Sequence, residues 1–312
     1  MPLPSRRGAP ADFTAALIEG PWEHRFVAAR GLRFHAATTG PDDGRLVVLL
    51  HGVPQHWWAN RHLLTHLGAA GYRTVALDLR GCGASDKPPE GYTLPMLAAD
   101  VAGVITASGR RSAVVVGHGI GGQVAWTMVS RAPGALDGII PMSSMHPGSF
   151  APKRRFLVSP RAAGQLAALR SPRVARRLLP DTGFMAALLT TWVRNPEVMD
   201  AVTVARYTEA MRIPYAPDKA AQMVRWATRP LPTAAHARFV VSARVRPSVP
   251  VLQIQSDSDP VLRWQTARAE ELGGDDYRFE LLSGIGHLPM EEDGELISGI
   301  VLDWLAEHRL NP

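Results

Sequence analysis

Hydrophobic positions along the chain follow two alternating patterns. Short apolar runs such as VVLL and AVVV have the length and β-branched content of strands that are covered on both faces. Between them, longer segments repeat apolar residues at helical spacing. This alternation predicts an α/β protein with a mostly parallel, eight-stranded sheet flanked by helices. The predicted strands are Phe26–Ala29, Arg33–Thr38, Arg45–Leu50, Arg73–Asp78, Ser112–Val116, Gly138–Met142, Val251–Gln255 and Tyr277–Leu282.

Four helices are predicted around this sheet. Thr93 is a suitable N-cap for the second of them, because its hydroxyl can accept from a free amide of the first turn and Pro95 follows it. The predicted helices are Arg61–Ala70, Leu94–Ala107, Ile120–Arg131 and Leu296–Leu310.

The middle of the chain differs from its flanking segments in residue composition and periodicity. Residues 149–232 are rich in arginine, alanine and proline, with helical periodicity and no convincing strand before Arg238–Val241. Ser171-Pro172 and Asn195-Pro196 are typical of helix starts. We therefore interpret residues 149–232 as a helical cap inserted into a core formed by residues 1–148 and 233–312.

Composition excludes several classes of partner. The net charge is +6, but only three of the 34 basic residues are lysine, and they form no stripe interleaved with aromatic residues, so no nucleic-acid partner is expected. No apolar run reaches the roughly 18–20 residues of a membrane span. The N-terminal residues do not resemble a secretory signal, and a single cysteine, Cys82, excludes an internal disulfide, so we expect a cytoplasmic protein. The histidines show no metal-ligand spacing, so neither a metal nor a cofactor is expected.

The segment GHGIGG, residues 117–122, carries the first candidate chemistry. It follows a predicted strand and precedes a predicted helix, with small residues spaced as in the turn that exposes a hydrolase nucleophile. The central residue of that turn is Gly119, which has no side chain with which to attack a substrate. The amide of Ile120, at the start of the helix, is placed to donate to an oxyanion.

Four further motifs occur in an order that identifies a family. HGVPQ follows the third predicted strand, DLRGCGASDKP follows the fourth, SDSDP follows the seventh and GIGHLP follows the last. With GHGIGG, this set resembles the α/β-hydrolase family, in its branch of epoxide hydrolases and haloalkane dehalogenases. The resemblance runs from about Leu32 to Leu305 and leaves the cap weakly matched.

The resemblance implies roles for individual residues. Asp259 of SDSDP takes the place of the catalytic acid, with Asp257 as a less favoured alternative, and His287 of GIGHLP takes the place of the catalytic histidine. The chain order of turn, acid and histidine is the order of this fold. The loop after the third strand would supply a second oxyanion amide, that of Val53. The residues expected to line or shape a pocket for a small apolar substrate are His51, Pro54, Trp57, His118, Tyr207 and Tyr215.

Gly119 departs from the family pattern, which implies an aspartate or a serine at this position. Val53 and Ile120 also replace an asparagine and a tryptophan of dehalogenases, which disfavours dehalogenation.

Three hypotheses remain for the function. His287 and Asp259 could act as a general-base dyad in hydrolysis or lyase chemistry on an epoxide, ester or lactone.

In the second hypothesis the protein is a ligand-binding pseudoenzyme that uses the apolar pocket under the cap. In the third, a hydrolase nucleophile is relocated to Ser143 or Ser144, at the end of the neighbouring strand. Cys82 is a weaker candidate, because a cysteine in this setting is more often a small packing residue.

Overall fold

The computed structural model describes residues 8–149, 159–228 and 233–312. A single sheet forms the centre of the molecule, and all eight predicted strands belong to it. The strands are β1 (Glu23–Ala29), β2 (Leu32–Thr39), β3 (Leu46–Leu50), β4 (Arg73–Leu77), β5 (Ala113–His118), β6 (Leu136–Met142), β7 (Val251–Ser256) and β8 (Tyr277–Leu282).

The sheet has the order β1-β2-β4-β3-β5-β6-β7-β8. β2 pairs antiparallel with β1 and β4, and the remaining neighbours pair parallel. Strands β3, β5 and β7 are buried along their whole length, as expected for parallel strands covered by helices on both faces. The prediction of a mostly parallel, eight-stranded α/β sheet is therefore confirmed.

Twelve α-helices occur in the described residues. In chain order they are α1 (Arg61–Ala69), α2 (Leu94–Ala107), α3 (Ile120–Arg131), α4 (Pro160–Leu169), α5 (Pro172–Leu178), α6 (Thr182–Trp192), α7 (Ala201–Arg212), α8 (Ala216–Ala227), α9 (Ala234–Ser242), α10 (Trp264–Ala267), α11 (Pro289–Glu292) and α12 (Gly294–Glu307).

Helix boundaries follow local signals closely. Helices α2 and α3 begin and end where the sequence predicts, and the Thr93 hydroxyl accepts from the amide of Met96 at 3.3 Å. Ser171 stands at the N-cap of α5, and Asn195 precedes a 3₁₀ turn, Pro196–Val198. Both serine–proline and asparagine–proline pairs therefore mark the start of a helical segment.

The prediction of a strand at residues 238–241 was wrong. This apolar run belongs to helix α9, not to a strand. His236 and Phe239, three residues apart, are buried, whereas Val241 is 71% exposed. This burial pattern has a helical period. Thr233 caps the helix, so the short run of β-branched residues forms part of α9 and not a strand.

Between β6 and β7, the described residues form helices α4 to α9. The parallel strands end at the same edge of the sheet, so the loops after β3, β5, β7 and β8 meet there. These four loops contain Val53, Gly119, Asp259 and His287 respectively. The topology thus gathers the candidate site from segments that lie far apart in sequence.

Candidate functional site

Gly119 is the whole of the turn between β5 and α3. Its backbone angles are φ +55° and ψ −113°, a conformation that L side chains rarely adopt. Its amide donates to the carbonyl of Met142 at 3.0 Å, and its carbonyl accepts from the amide of Gln123 at 3.1 Å. The turn is therefore held at both ends, against β6 and within α3.

The glycines around this turn are required by packing, whereas Gly119 is not. A Cβ added at Gly117 would lie 2.3 Å from the carbonyl oxygen of Gly121, and one at Gly121 would lie 2.6 Å from that of Leu50. At Gly119 an added Cβ would meet only the Cα of Gly52, at 3.7 Å. A side chain at residue 119 would thus enter open space, at the cost of its strained backbone angles.

His287 and Asp259 form a buried hydrogen-bonded pair. Nδ1 of His287 lies 2.8 Å from Oδ2 of Asp259, and the two residues are 7% and 3% exposed. The other carboxylate oxygen, Oδ1, accepts from the amides of Val261 and Leu262 at 2.7 and 2.9 Å. Because the carboxylate accepts, Nδ1 carries the proton and Nε2 of a neutral imidazole presents a lone pair.

The competing carboxylate, Asp257, has a different role. It is exposed and accepts from the hydroxyls of Ser258 and Ser283 and from the amide of Gly284. These hydrogen bonds lower its pKa, first among them the one from the Gly284 amide. Asp257 therefore fastens the start of the loop that leads to His287, while Asp259 contacts the imidazole.

The imidazole of His287 is enclosed by two aromatic rings. The ring of Trp192, at the end of α6, is perpendicular to it at a centroid distance of 5.4 Å, and the ring of His118 lies at 5.1 Å. The backbone amide of His287 donates to the carbonyl of Trp192 at 2.7 Å. The segment between β6 and β7 thus helps to hold the histidine loop.

His118 acts on the same loop from the residue that precedes Gly119. Its Nε2 donates to the carbonyl of His287 at 2.7 Å, which leaves Nδ1 unprotonated in the neutral ring. Burial lowers the pKa of His118 to about 3, with the nearby His287 adding to the effect. His118 therefore stays neutral near pH 7 and fixes the distance between the turn and the histidine loop.

The amides of Val53 and Ile120 come from loops in direct contact. Ile120 is the first residue of α3, where a backbone N–H has no partner within the helix. The close approach of Gly121 to Leu50 brings the loop after β3 against the start of α3, and Gly52 stands over Gly119. The Val53–Pro54 peptide in this loop is cis.

His51 has both ring nitrogens engaged by backbone groups. Nδ1 donates to the carbonyl of Gly52 at 2.7 Å and Nε2 accepts from the amide of Leu79 at 3.2 Å. The side chain is fully buried, and burial lowers its pKa. His51 thus shapes the loop and has no nitrogen left for a substrate.

Tyr207, on α7, is part of a buried polar network. Its hydroxyl donates to Oε1 of Glu291 in a short hydrogen bond and accepts from Nε2 of Gln55 at 3.2 Å. Arg61 binds the same Glu291 carboxylate with two hydrogen bonds, of 3.0 and 2.9 Å. Burial and the negative Glu291 raise the pKa of Tyr207 well above its ordinary value.

Two residues expected in the pocket lie elsewhere. Trp57 is fully buried and its Nε1 donates to the carbonyl of Ala16 at 2.6 Å, so its ring packs against the segment before β1. Tyr215 is 68% exposed, at a left-handed position before α8. Neither position could be read from the sequence, because both depend on which neighbouring segment packs against the loop.

The alternative nucleophiles are all buried. Ser143 follows β6 at φ +43°, and Ser144 packs against Gly122 of α3. Among the described residues neither hydroxyl has a hydrogen-bond partner, so neither is hydrogen-bonded to His287. Burial raises the pKa of the Cys82 thiol to about 12, which keeps it protonated near pH 7.

Three contributors were not expected from the sequence: Trp192, Glu291 and Glu292. Glu291 lies four residues after His287, a spacing that could have drawn attention to it. Glu292 accepts from the amides of Gly286, Arg194 and Asn195 and so ties the histidine loop to the end of α6. Nothing in the sequence singles out Trp192.

Two features, a cluster of metal ligands and a membrane-spanning helix, are absent from the described residues. Within them, no group of three or more histidine, cysteine, aspartate or glutamate side chains lies close enough to hold a metal ion. No helix in these parts of the chain is both long enough and apolar enough to cross a bilayer.

Comparison with known proteins places this chain in a family. The family model described as "alpha/beta hydrolase fold" matches residues 45–293. The AB hydrolase superfamily protein YfhM of Bacillus subtilis is 40% identical over 125 residues, 39% of this chain and 44% of that protein. Epoxide hydrolase B of Mycobacterium tuberculosis is 44% identical over 124 residues, 38% of this chain and 35% of that protein. The chain thus spans less than half the length of these curated relatives.

A solved structure extends the fold comparison over nearly the whole chain. The epoxide hydrolase CorEH without ligand superposes with a TM-score of 0.78 and covers 92% of this chain and 99% of its own. The sequences are 22% identical, so this likeness concerns the fold alone.

Proposed function

Since the chain belongs to the α/β-hydrolase fold family, we propose that it is a hydrolase in which His287 and Asp259 activate water directly, with no enzyme nucleophile at Gly119. The observation that carries this proposal is the buried 2.8 Å contact between Nδ1 of His287 and Asp259, which leaves Nε2 as a base. The open space at the Cα of Gly119 supports it, because a water molecule can stand where a side chain would otherwise stand.

The proposed reaction is one-step hydrolysis of an ester or a lactone. Nε2 of His287 takes a proton from water as its oxygen attacks the substrate carbonyl carbon, and Asp259 stabilises the imidazolium that forms. The amides of Val53 and Ile120 donate to the carbonyl oxygen as it becomes negative. The imidazolium then returns the proton to the leaving alkoxide as the carbon–oxygen bond breaks.

An epoxide is the less favoured substrate, although epoxide hydrolases are among the relatives. Opening an epoxide ring requires an acid to protonate the departing oxygen. The proton of Tyr207 is already engaged by Glu291, and Tyr215 is exposed. An ester or a lactone has no such need in our proposal, because backbone donors stabilise the carbonyl oxyanion and the His287 imidazolium protonates the leaving alkoxide. The helices between β6 and β7 would then act as the cap that selects the substrate.

Turnover should be slow compared with nucleophilic relatives. A general base contributes on the order of 10²–10⁴-fold to the rate, whereas loss of a serine-protease nucleophile lowers the rate on the order of 10⁶-fold.

The test compares wild type with His287→Ala on a panel of aryl esters and lactones. We expect measurable hydrolysis that falls at least about 100-fold in His287→Ala. Equal rates in both proteins would remove the base from the mechanism and favour a binding function without catalysis.

Ser143 provides a second candidate mechanism. Its left-handed backbone and unpartnered hydroxyl next to the Gly119 turn are features of a strained functional residue. This mechanism requires a covalent acyl-serine, whereas direct attack by water does not. Rapid-quench mass spectrometry on wild type and Ser143→Ala separates the two. An adduct of acyl mass on wild type that is absent from Ser143→Ala would replace our proposal with the relocated serine.

A further inference from the structure

A separate cleft lies at the opposite end of α3 from Gly119. Its volume is about 410 Å³, within the range of small-molecule sites. Helix α3 has 12 residues, so its two ends are about 18 Å apart at 1.5 Å per residue. The polar, charged and aromatic residues that line the cleft include Thr93, Arg131, Trp226, His236, Arg238 and Phe239.

One wall of the cleft is aromatic. The ring of Trp226 lies 4.9 Å from the rings of both His236 and Phe239, in edge-to-face contacts. His236 and Phe239 are each 5% exposed, so these two rings are fixed within the fold. Trp226 is only partly buried and offers ring surface to the cleft. Such a wall favours a planar ligand that can stack on it.

The remaining lining is cationic. Arg131 and Arg238 are exposed, and none of the ion pairs within the described ranges involves either residue. Arg131 donates to the Ser242 hydroxyl at 2.9 Å, and its guanidinium lies 5.9 Å from the centre of the Phe239 ring. The lining residues in the described part of the chain include no aspartate or glutamate. Two arginines that form no ion pair within the described residues therefore line the same small cleft.

Both kinds of helix end border the cleft. Thr93 is the N-cap of α2 and Thr233 is the N-cap of α9, whereas Arg131 and Trp226 lie at the C-terminal ends of α3 and α8. Because the partial charges of helix N- and C-termini are opposite, the two arginines are the positive groups on which binding of an anion depends.

We propose that this cleft is a binding site for a small aromatic carboxylate, separate from the hydrolytic site. The aromatic ring of the ligand stacks against Trp226, and its carboxylate accepts hydrogen bonds from Arg238 and Arg131. The ligand binds whether or not the protein turns over an ester, because no lining residue belongs to the Gly119 turn or to the His287–Asp259 pair.

The test measures binding of 2-naphthoate and of its uncharged analogue 2-naphthylmethanol by isothermal titration calorimetry. The proteins are full-length wild type, Arg238→Gln, and Arg225→Gln as a matched control. Arg225 is also exposed and precedes Trp226, but it does not line the cleft. Charge-assisted hydrogen bonds are worth about 1.5–3 kcal/mol, so we expect Arg238→Gln to weaken naphthoate binding about 10-fold or more. Arg225→Gln should change it less than about twofold, as surface charges at a distance are screened.

A second measurement locates the ligand. Naphthoate should change the tryptophan fluorescence of wild type, and Trp226→Phe should abolish that change. Equal affinities for naphthoate and naphthylmethanol would overturn the proposal, as would equal losses in the Arg238→Gln and Arg225→Gln variants. Competition between naphthoate and an ester substrate, with Arg238→Gln unaffected, would place the ligand in the hydrolytic site and also overturn it.

Discussion

The Cα of Gly52 stands 3.7 Å from the point that a Cβ on Gly119 would occupy, and apart from Gly119 and its two chain neighbours no other described residue places an atom within 4 Å of that point. The loop after β3 thus faces the turn after β5 across a space that a side chain could enter. A side chain at position 119 would therefore strain the backbone but would meet no steric clash at its Cβ.

This relationship gives a first prediction about stability. Gly119→Ala should lower the free energy of unfolding by about 1–3 kcal/mol, through backbone strain alone. Gly121→Ala is the matched control, since its Cβ would lie 2.6 and 2.8 Å from two carbonyl oxygens and should cost more. Urea denaturation measures both values. A loss in Gly119→Ala equal to or above that in Gly121→Ala would contradict the open space.

A second prediction concerns the carboxylate behind His287. Asp259→Asn should lower kcat for ester hydrolysis by about 10²–10⁴-fold, because the amide no longer stabilises the imidazolium or fixes its tautomer. Asp257→Asn serves as the control and should retain most activity, because Asp257 hydrogen-bonds to Ser283 and Gly284 at the start of the His287 loop and not to the imidazole. Steady-state kinetics decide between them, and a reversed order would assign the acid to Asp257.

Tyr207 is predicted to be structural. Tyr207→Phe removes a hydrogen bond to the Glu291 carboxylate and should lower stability by about 1–3 kcal/mol, with ester turnover within a few-fold of wild type. Thermal unfolding and kcat are measured on the same preparation. Unchanged stability together with a loss of turnover above about 100-fold would instead give the hydroxyl a catalytic role.

The pH dependence of stability should reflect buried neutral histidines. Burial lowers the pKa of His56 from 6.5 to about 4. Between these values the unfolded chain binds more protons than the folded one, so stability falls as pH drops from 6.5 towards 4 and is constant above 6.5.

The matching variant is His56→Leu, which removes this titration. Its stability should fall less steeply between pH 6.5 and 4, by up to about 1.4 kcal/mol per pH unit. Both ring nitrogens of His56 are buried and have no hydrogen-bond partner in the described part of the chain, so the stability of His56→Leu at pH 7 should be equal to or above that of wild type. Parallel pH profiles for the two proteins would contradict the assignment.

Cys82 is predicted to be unreactive in the folded protein. Its thiol is fully buried, and the pKa of about 12 leaves almost no thiolate near neutral pH. A thiol reagent such as DTNB should react only after unfolding in guanidinium, and Cys82→Ala should keep ester turnover. Rapid labelling of the folded protein, or lost turnover in Cys82→Ala, would contradict this prediction and would make Cys82 a candidate nucleophile.

Several features of the fold were determined by the sequence alone. Strand positions follow from short apolar runs, and the ends of α2 and α3 follow from Thr93, Gly119 and helical periodicity. These signals are local, because a residue's neighbours within a few positions set its backbone preference. Asp259 and His287 were selected as candidates because the order of their motifs resembles that of the α/β-hydrolase family.

Only the tertiary structure decided what each candidate side chain contacts. The Trp57 ring is buried in the core and Tyr215 is exposed to solvent. The Tyr207 hydroxyl donates to Glu291, which is 84 residues away in sequence. The hydrogen bond from His118 to the carbonyl of His287 spans 169 residues. Such contacts depend on the packing of distant segments, and no local pattern encodes the direction in which a side chain finds its partner.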